Sequence, residues 1–240
     1  MTGSAIISEI DFDSDGKHLG FLRLPHSVHR SAYGWLPIPV CSIKNGEGPK
    51  VLLMAGNHGD EYEGQIMLSR LIAELETGDL SGQMIILPMA NYPAANAGLR
   101  VSPIDGGNLN RSFPGDPLGS PTQQIAYFIE ECLLTRVDYL FDLHSGGSSL
   151  LYLPSMLMAW EEDDPRNNER RALLNSFALE NAMLFPPQGE GYYSSAAAAR
   201  KGVIALTTEL GGGGTVAPDV LRLADEGLRR VLAAIGVWKN

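Results

Sequence analysis

The stretch that most constrains this chain runs from Val51 to Leu75. Val51-Leu-Leu-Met-Ala55 is a short apolar run between turn formers, with Gly46, Gly48 and Pro49 before it and Gly56-Asn57 after it. That pattern suits a strand buried on both faces. Leu68, Leu71, Ile72 and Leu75 then recur at i, i+3, i+4 and i+7, so a helix from about Glu61 to Leu75 lays one apolar face on a sheet. His58 and Glu61 fall at the turn between the two, beyond the carboxyl end of a strand, where open α/β sheets place their ligands. Imidazole nitrogen and carboxylate oxygen are both zinc donors, and a catalytic zinc takes three protein ligands with water in the fourth position. Two of the three stand here. His-x-x-Glu alone also reads as a helix start rich in acidic residues, so the rest of the chain decides.

Further strands and helices alternate with the first pair. Met84–Leu87 reads as a second buried strand, Val137–Leu143 as a third, Leu150–Leu153 as a short one, and Val203–Thr207 as another. Ser120-Pro-Thr-Gln123 has the form of a capping box with Pro at the first helical position, opening a helix to about Thr135. Helices are also expected over about Glu169–Leu184 and Ser194–Lys201, and over about Pro218–Ile235 with Val220, Leu223, Ala224, Leu228, Val231 and Ile235 on one face. Alternation of this kind, with connections long enough for crossovers, predicts an α/β sandwich on a largely parallel or mixed sheet. Ahead of it, Gly20–Leu24 and Ile38–Ile43 read as strands of a β-rich segment over residues 1–45, packed on a catalytic domain over 46–240.

Residues 89–119 carry little periodicity and many turn formers, and a loop of that length inside a compact domain is usually functional. The third strand ends in Asp142-Leu-His144, and Val203–Thr207 delivers Glu209 ahead of Gly211–Gly214, which lacks the Lys-Ser/Thr of a phosphate loop and reads as a tight backbone turn. Asp11–Gly16 imitates the opening of a calcium loop, but its twelfth position is Leu22 where a bidentate Glu is required, so it reads as a polar turn. His26 and His29 lie in a loop without a partner cluster, and the acidic run from Glu161 reads as a solvated insertion.

The formal charge of −10 excludes the classes that need a basic surface: nucleic acid and anionic membranes would both repel the chain. The opening residues have neither a basic region nor an apolar region of useful length, and no run reaches the length of a membrane span. The expected location is the cytoplasm. Cys41 and Cys132 are too few for a disulfide framework or a thiolate metal site and read as small buried apolar groups.

Four stretches at strand ends and in the long loop hold what amide hydrolysis needs: His58-Gly-Asp-Glu61, Asn108-Leu-Asn-Arg111, Asp142-Leu-His144 and Thr208-Glu-Leu-Gly211. In this order and spacing the chain resembles the succinylglutamate desuccinylase/aspartoacylase family of the zinc carboxypeptidase superfamily. Gly56–Gln65, Ser102–Asp116 and Thr208–Gly214 look closest to the branch that removes the acetyl group from N-acetyl-2,4-diaminobutanoate. The resemblance covers about residues 20–236. It implies a zinc-carboxypeptidase-like mixed sheet with helices on both faces and one zinc per chain bound by His58, Glu61 and His144, with Glu209 as general base. It also implies that Asn110 and Arg111 grip the substrate carboxylate, where the planar fork of Arg suits a bidentate contact. Arg100, in the same loop, is the candidate for the developing oxyanion, with a surface salt bridge as its other reading. Asp142, two residues before His144 on the same strand face, is placed to accept the second N–H of that ligand. Tyr192 and Tyr193 read as packing or as pocket lining.

Family members usually continue past the last helix into a smaller β-rich domain over the active site, whereas this chain runs to Trp238-Lys-Asn240, so the expected fold lacks that domain. The function expected is zinc-dependent removal of the acyl group, most simply acetyl, from a small N-acyl amino acid. Aspartoacylase, succinylglutamate desuccinylase and true carboxypeptidase activity stay open beside it, as does a zinc-binding domain without turnover, which Glu209 argues against because a structural zinc site has no use for a base. Homo-oligomerisation is left open by the sequence.

Overall fold

The computed structural model describes residues 3–30, 32–186 and 190–239. Met1-Thr2 and Asn240, the extremities of the terminal stretches read above, lie outside them. The chain runs through β1 (Ile7–Ser8), β2 (Gly16–Pro25), β3 (Trp35–Asn45), β4 (Lys50–Ala55), α1 (Tyr62–Glu74), β5 (Gly82–Leu87), α2 (Tyr92–Ala97) and α3 (Pro121–Phe128). It continues through β6 (Tyr139–His144), β7 (Ser155–Ala159), α4 (Asn167–Phe177), β8 (Asn181–Phe185), α5 (Ser194–Arg200), β9 (Ile204–Glu209) and α6 (Pro218–Ile235). The nine strands of the described residues form one mixed sheet in the order β1-β2-β3-β5-β4-β6-β9-β7-β8.

The centre of that sheet, β5-β4-β6-β9, is parallel. Antiparallel pairings extend it on both sides, through β3 on β5 and β7 on β9. Its apolar strands alternate between two cores. Val51, Leu53, Ala55, Phe141 and Leu143 face α1, α4 and α6, while Leu52, Met54 and Leu140 face α3 and α5. Strands covered on both faces read as continuous apolar runs, which is why β4 and β5 are plain in the sequence. From β4 the chain steps to β5 on one side and then to β6 on the other, so the carboxyl ends of β4 and β6 flank a topological switch point, the crevice in which such sheets bind ligands. Residues 16–45 are built into the same sheet: β2 pairs with β3 along its whole length and β3 pairs with β5. No helix among the described residues is long and apolar enough to cross a membrane.

The structure corrects several expectations. Leu150–Leu153 is not a strand; it contributes one isolated bridge, Leu151 to Gly212, and its three leucines are exposed. The strand is Ser155–Ala159, whose residues carry no β-branched signal. The expected helix to Leu184 ends at Phe177, because Ala178 takes a left-handed conformation (φ 60°) and the chain turns into β8. An Ala at that position gives no stop signal of the kind Gly would. Residues 89–119 contain the short α2, whose Pro93 sits in the first turn as a helix starter. The helix from Pro121 passes at Ile129 into a π turn and then a 3₁₀ turn ending at Arg136. The buried stripe of α6 is Leu221, Ala224, Gly227, Leu228, Val231 and Leu232, a shift of the expected face. Cys41 is buried, with its thiol pushed by burial up to about 11, and Cys132 is half-buried.

The approach of α1 to the sheet depends on two residues without side chains. A Cβ on Gly59 would lie 2.0 Å from the Ala94 carbonyl carbon, and one on Gly64 would lie 2.7 Å from Leu143 Cβ and 2.8 Å from the Leu143 carbonyl oxygen. Gly64→Ala is expected to destabilise the protein by about 1–3 kcal/mol through overpacking, read as a lower urea midpoint. Gly78→Ala, whose Cβ would meet nothing within 4 Å, should stay within about 0.5 kcal/mol of the parent.

Candidate metal centre and the cavity beside it

His58 and Glu61 sit in the turn between β4 and α1, and His144 is the last residue of β6. Since β4 and β6 are neighbours, the two strand ends bring all three side chains together, each buried to within a few per cent of full coverage. Their ligand atoms lie within 4.8 Å of one another. His58 Nδ1 is 2.6 Å from Glu61 Oε1 and His144 Nδ1 is 2.8 Å from Glu61 Oε2.

The other nitrogen of each imidazole is committed elsewhere. His58 Nε2 is 3.1 Å from Asn108 Oδ1, and His144 Nε2 is 3.0 Å from Asp142 Oδ2. An amide oxygen and a carboxylate accept but cannot donate, so both Nε2 atoms carry the proton. Each Nδ1 then presents a lone pair to a carboxylate oxygen at hydrogen-bond distance. Four electron-rich atoms hold such an approach only with a proton or a metal cation among them, and two imidazoles with one carboxylate are a donor set that zinc accepts. A proton can fill the role in part. Burial works against the imidazolium of His144, but Asp142 and Glu61 outweigh it and hold its pKa well above the ordinary value. Burial likewise opposes the Glu61 charge, and the His144 and His58 side chains overcome it, holding that carboxyl well below the usual range.

The support around the triad is dense. Asp142 Oδ2 accepts from His144, from Asn57 Nδ2 at 2.7 Å, and from the Ser194 hydroxyl. Ser194 also donates its backbone N–H to Asn110 Oδ1 at 2.9 Å. Asn110 Nδ2 lies 3.4 Å from His144 Nε2, a close approach and not a hydrogen bond, because both atoms are donors once Nε2–H is given to Asp142. Arg111 donates from Nη1 to the Asn110 carbonyl at 2.7 Å, and its guanidinium lies 4.4 Å from the centroid of the Tyr193 ring. Arg100 Nη1 is 3.4 Å from Glu61 Oε1 with the side chain half-exposed, so the ion pair it makes is with the triad and not with a surface carboxylate.

A cavity of about 630 Å³ opens beside these residues, lined at one end by His58, Glu61, His144, Arg100, Arg111 and Glu209. Glu209 ends β9, directly opposite His144 in the parallel register, and its Oε2 is buried without a hydrogen-bond partner. Burial pushes the Glu209 carboxyl up to about 7; the charges of Glu61 and Asp142 add to the rise, while His144 and Arg100 oppose it. From Glu209 the cavity runs along the half-buried residues Thr207 and Ala205 of β9, with Leu157 and Ala159 of β7 beside them. All eight of the residues singled out from the sequence therefore lie at or against one site. Asn108, Asn57 and Ser194 were not singled out. The first two stand within or beside the motifs that hold the triad, whereas a lone Ser at a helix start carries no signal.

A mixed α/β sheet with two imidazoles and a carboxylate at its switch point and an unpaired carboxyl beside them defines a hydrolase of carboxypeptidase-like fold. Comparison with known proteins narrows the class. Residues 47–235 match the succinylglutamate desuccinylase/aspartoacylase catalytic domain. The N-alpha-acetyl-L-2,4-diaminobutyric acid deacetylase of Halomonas elongata is 45% identical over 237 residues, 98% of this chain and 68% of that protein. A succinylglutamate desuccinylase from a Silicibacter species superimposes with a TM-score of 0.95 at 40% identity, over 99% of this chain and 72% of the other. The product-bound ectoine utilization protein EutE (DoeB) from Ruegeria pomeroyi gives 0.94 at 41% identity, again over 99% and 72%. The chain belongs to the succinylglutamate desuccinylase/aspartoacylase family. It is accordingly a hydrolase that removes acyl groups from linear amides.

Proposed function

We propose that this chain is a zinc-dependent deacetylase of Nα-acetyl-2,4-diaminobutanoate, with His58, Glu61 and His144 as the zinc ligands and Glu209 as the general base. The observation that carries the reading is the buried, unpartnered Oε2 of Glu209 in the cavity that the triad lines, in a chain 45% identical to a deacetylase of that name over nearly its whole length. Zinc held by the three ligands supplies Lewis acidity toward the amide carbonyl and toward a water molecule.

The remaining steps belong to side chains. Arg111, with its guanidinium steadied by the Asn110 carbonyl and the Tyr193 ring, takes the substrate carboxylate together with the Asn110 side chain. That contact fixes the scissile amide relative to Glu209. Glu209 removes a proton from the attacking water and returns it to the leaving amine, a task suited to a carboxyl whose burial has raised its pKa toward the working range. Arg100, free at its solvent side, offers a guanidinium to the negative charge that develops on the acyl oxygen.

Charge along the far part of the cavity is balanced, with Glu161 and Asp164 set against Arg166 and Arg170, so the choice of diaminobutanoate over a dianionic substrate rests on the likeness to the Halomonas deacetylase.

With one zinc per chain, the protein should release amine from Nα-acetyl-2,4-diaminobutanoate with a kcat/KM well above that for N-acetylaspartate or N-succinylglutamate. Preference for either dianionic substrate would replace the reading with aspartoacylase or desuccinylase activity, and full metal occupancy without cleavage of any would favour a binding domain. Glu209→Gln should lower kcat by about 10²–10⁴-fold with zinc content unchanged. Asn108→Ala and Asp142→Asn, which remove or weaken the acceptors that orient the two imidazoles, should each weaken zinc binding by about 10–100-fold in chelator competition.

A further inference from the structure

We infer that Glu63 is a positioning residue for Glu209, acting as the tether that fixes the end of β9; the inference rests on Glu209 being the general base. Glu63 lies in the first turn of α1, two residues after Glu61, and is almost fully buried. Its Oε1 accepts from the backbone N–H of Gly212 at 2.8 Å, and Oε2 has no partner. It makes no ion pair among the described residues. A buried carboxylate with one backbone donor and no cation is an expensive way to fill space, and a residue of that kind is best explained by what its one bond constrains.

Gly212 lies three residues beyond Glu209, within a run of four glycines. Gly211 to Gly214 all have positive φ, between 63° and 115°, so the segment is made of residues that lose the most freedom on being ordered. Its other backbone bonds run to the loop that follows His144: Gly146 and Tyr152 donate to the Gly211 carbonyl, Gly213 donates to Leu150, and Gly214 donates to Gly147. The two loops thus brace each other, and each is pinned by one carboxylate, Asp60 from the turn before α1 and Glu63 from its first turn. Asp60 Oδ2 accepts from Ser148 N–H at 2.9 Å and from Ser148 Oγ at 2.7 Å, and Glu63 accepts from Gly212. Space is cut to fit, since a Cβ on Gly211 would come within 3.1 Å of Glu63 Oε1.

The turn at 58–63 therefore alternates two kinds of residue. His58 and Glu61 face the triad, while Asp60 and Glu63 hold the loops that follow β6 and β9. Glu209 Oε2 receives no hydrogen bond that would set its direction, so its aim is inherited from the backbone at the end of β9. Glu63 supplies a link from that backbone to the first turn of α1, directly after Glu61, which fixes the base relative to the triad.

Two variants separate tether from charge. Glu63→Gln keeps an oxygen acceptor at full reach and removes the charge, whereas Glu63→Asp keeps the charge and shortens the reach by one methylene. In zinc-loaded protein, Glu63→Asp should lose protection of the Gly212 amide against hydrogen exchange and lower kcat by roughly 10²-fold, with KM and zinc content at parental values. Glu63→Gln should keep the amide protected and kcat close to the parent. The proposal is overturned if Gly212 exchanges freely in Glu63→Asp while kcat is unchanged, or if Glu63→Gln falls as far as Glu63→Asp with its amide still protected, or if the loss of kcat tracks loss of zinc. A Glu209→Gln protein as active as its parent would sink the base assignment itself and the inference with it, while the Gly212 exchange rates would still tell whether the tether exists.

Discussion

The Nδ1 atoms of two imidazoles meet the two oxygens of one carboxylate, an arrangement that needs a proton or a cation among those atoms, and much of the structure around Glu61 serves to hold it. Neither histidine is free to turn away. Asn108 and Asp142 each take an Nε2–H, so rotation of either ring would break a buried hydrogen bond and leave a polar atom unpaired. Asp142 is itself fixed by Asn57 and Ser194. The cost of gathering these groups away from water is recovered only when positive charge enters among them, which is the physical sense in which the site is preorganised for a cation.

The fold makes that arrangement reachable because β4 and β6 are neighbours although some eighty residues separate them in the chain. The step from β4 to β5 on one side and to β6 on the other leaves a crevice at their carboxyl ends. His144 is the last residue of β6, and its backbone carbonyl accepts from Leu210 N–H at 2.9 Å just beyond β9. The strand that brings the third donor therefore also braces the strand that carries Glu209. Gly59 and Gly64 let α1 lie close enough to Ala94 and to Leu143 for the turn between β4 and α1 to face this crevice. One additional methyl group at either would force the helix and the turn before it away from the crevice.

What could be read from the sequence follows from which forces are local. The central strands declare themselves because burial on both faces makes them uniformly apolar, and the starts of α1 and α3 because their periodicity and the capping box at Ser120 are short-range signals. His58, Glu61, Asp142, His144 and Glu209 stand at or just beyond the ends of those strands, whereas Arg100, Asn110 and Arg111 lie in the long loop and come forward only through the family resemblance. Misreadings cluster where tertiary context decides. Leu151 is 78% exposed despite its composition, and Ala178 ends α4 in a conformation that its side chain does not advertise. Ser194 is invisible for a related reason: its hydroxyl matters only because α5 happens to begin over Asp142, a relation between residues 52 apart in the chain.

The same distinction explains the dual character of residues 57–63. A turn entering a helix changes direction at nearly every residue, so successive side chains point to different neighbours and a short segment can serve several. Asn57 reaches Asp142, His58 and Glu61 meet each other and His144, Asp60 reaches Ser148, and Glu63 reaches Gly212. A helix interior could not do this, because its side chains repeat on one face every three or four residues; nor could a strand, which offers only two directions. Three acidic residues within four positions repel one another in isolation, and here each is drawn to a separate partner, so the segment has one conformation that relieves the repulsion. That conformation couples the triad to both loops beyond β6 and β9, and a change at Asp142, Ser148 or Gly212 is felt at the site without touching the triad itself.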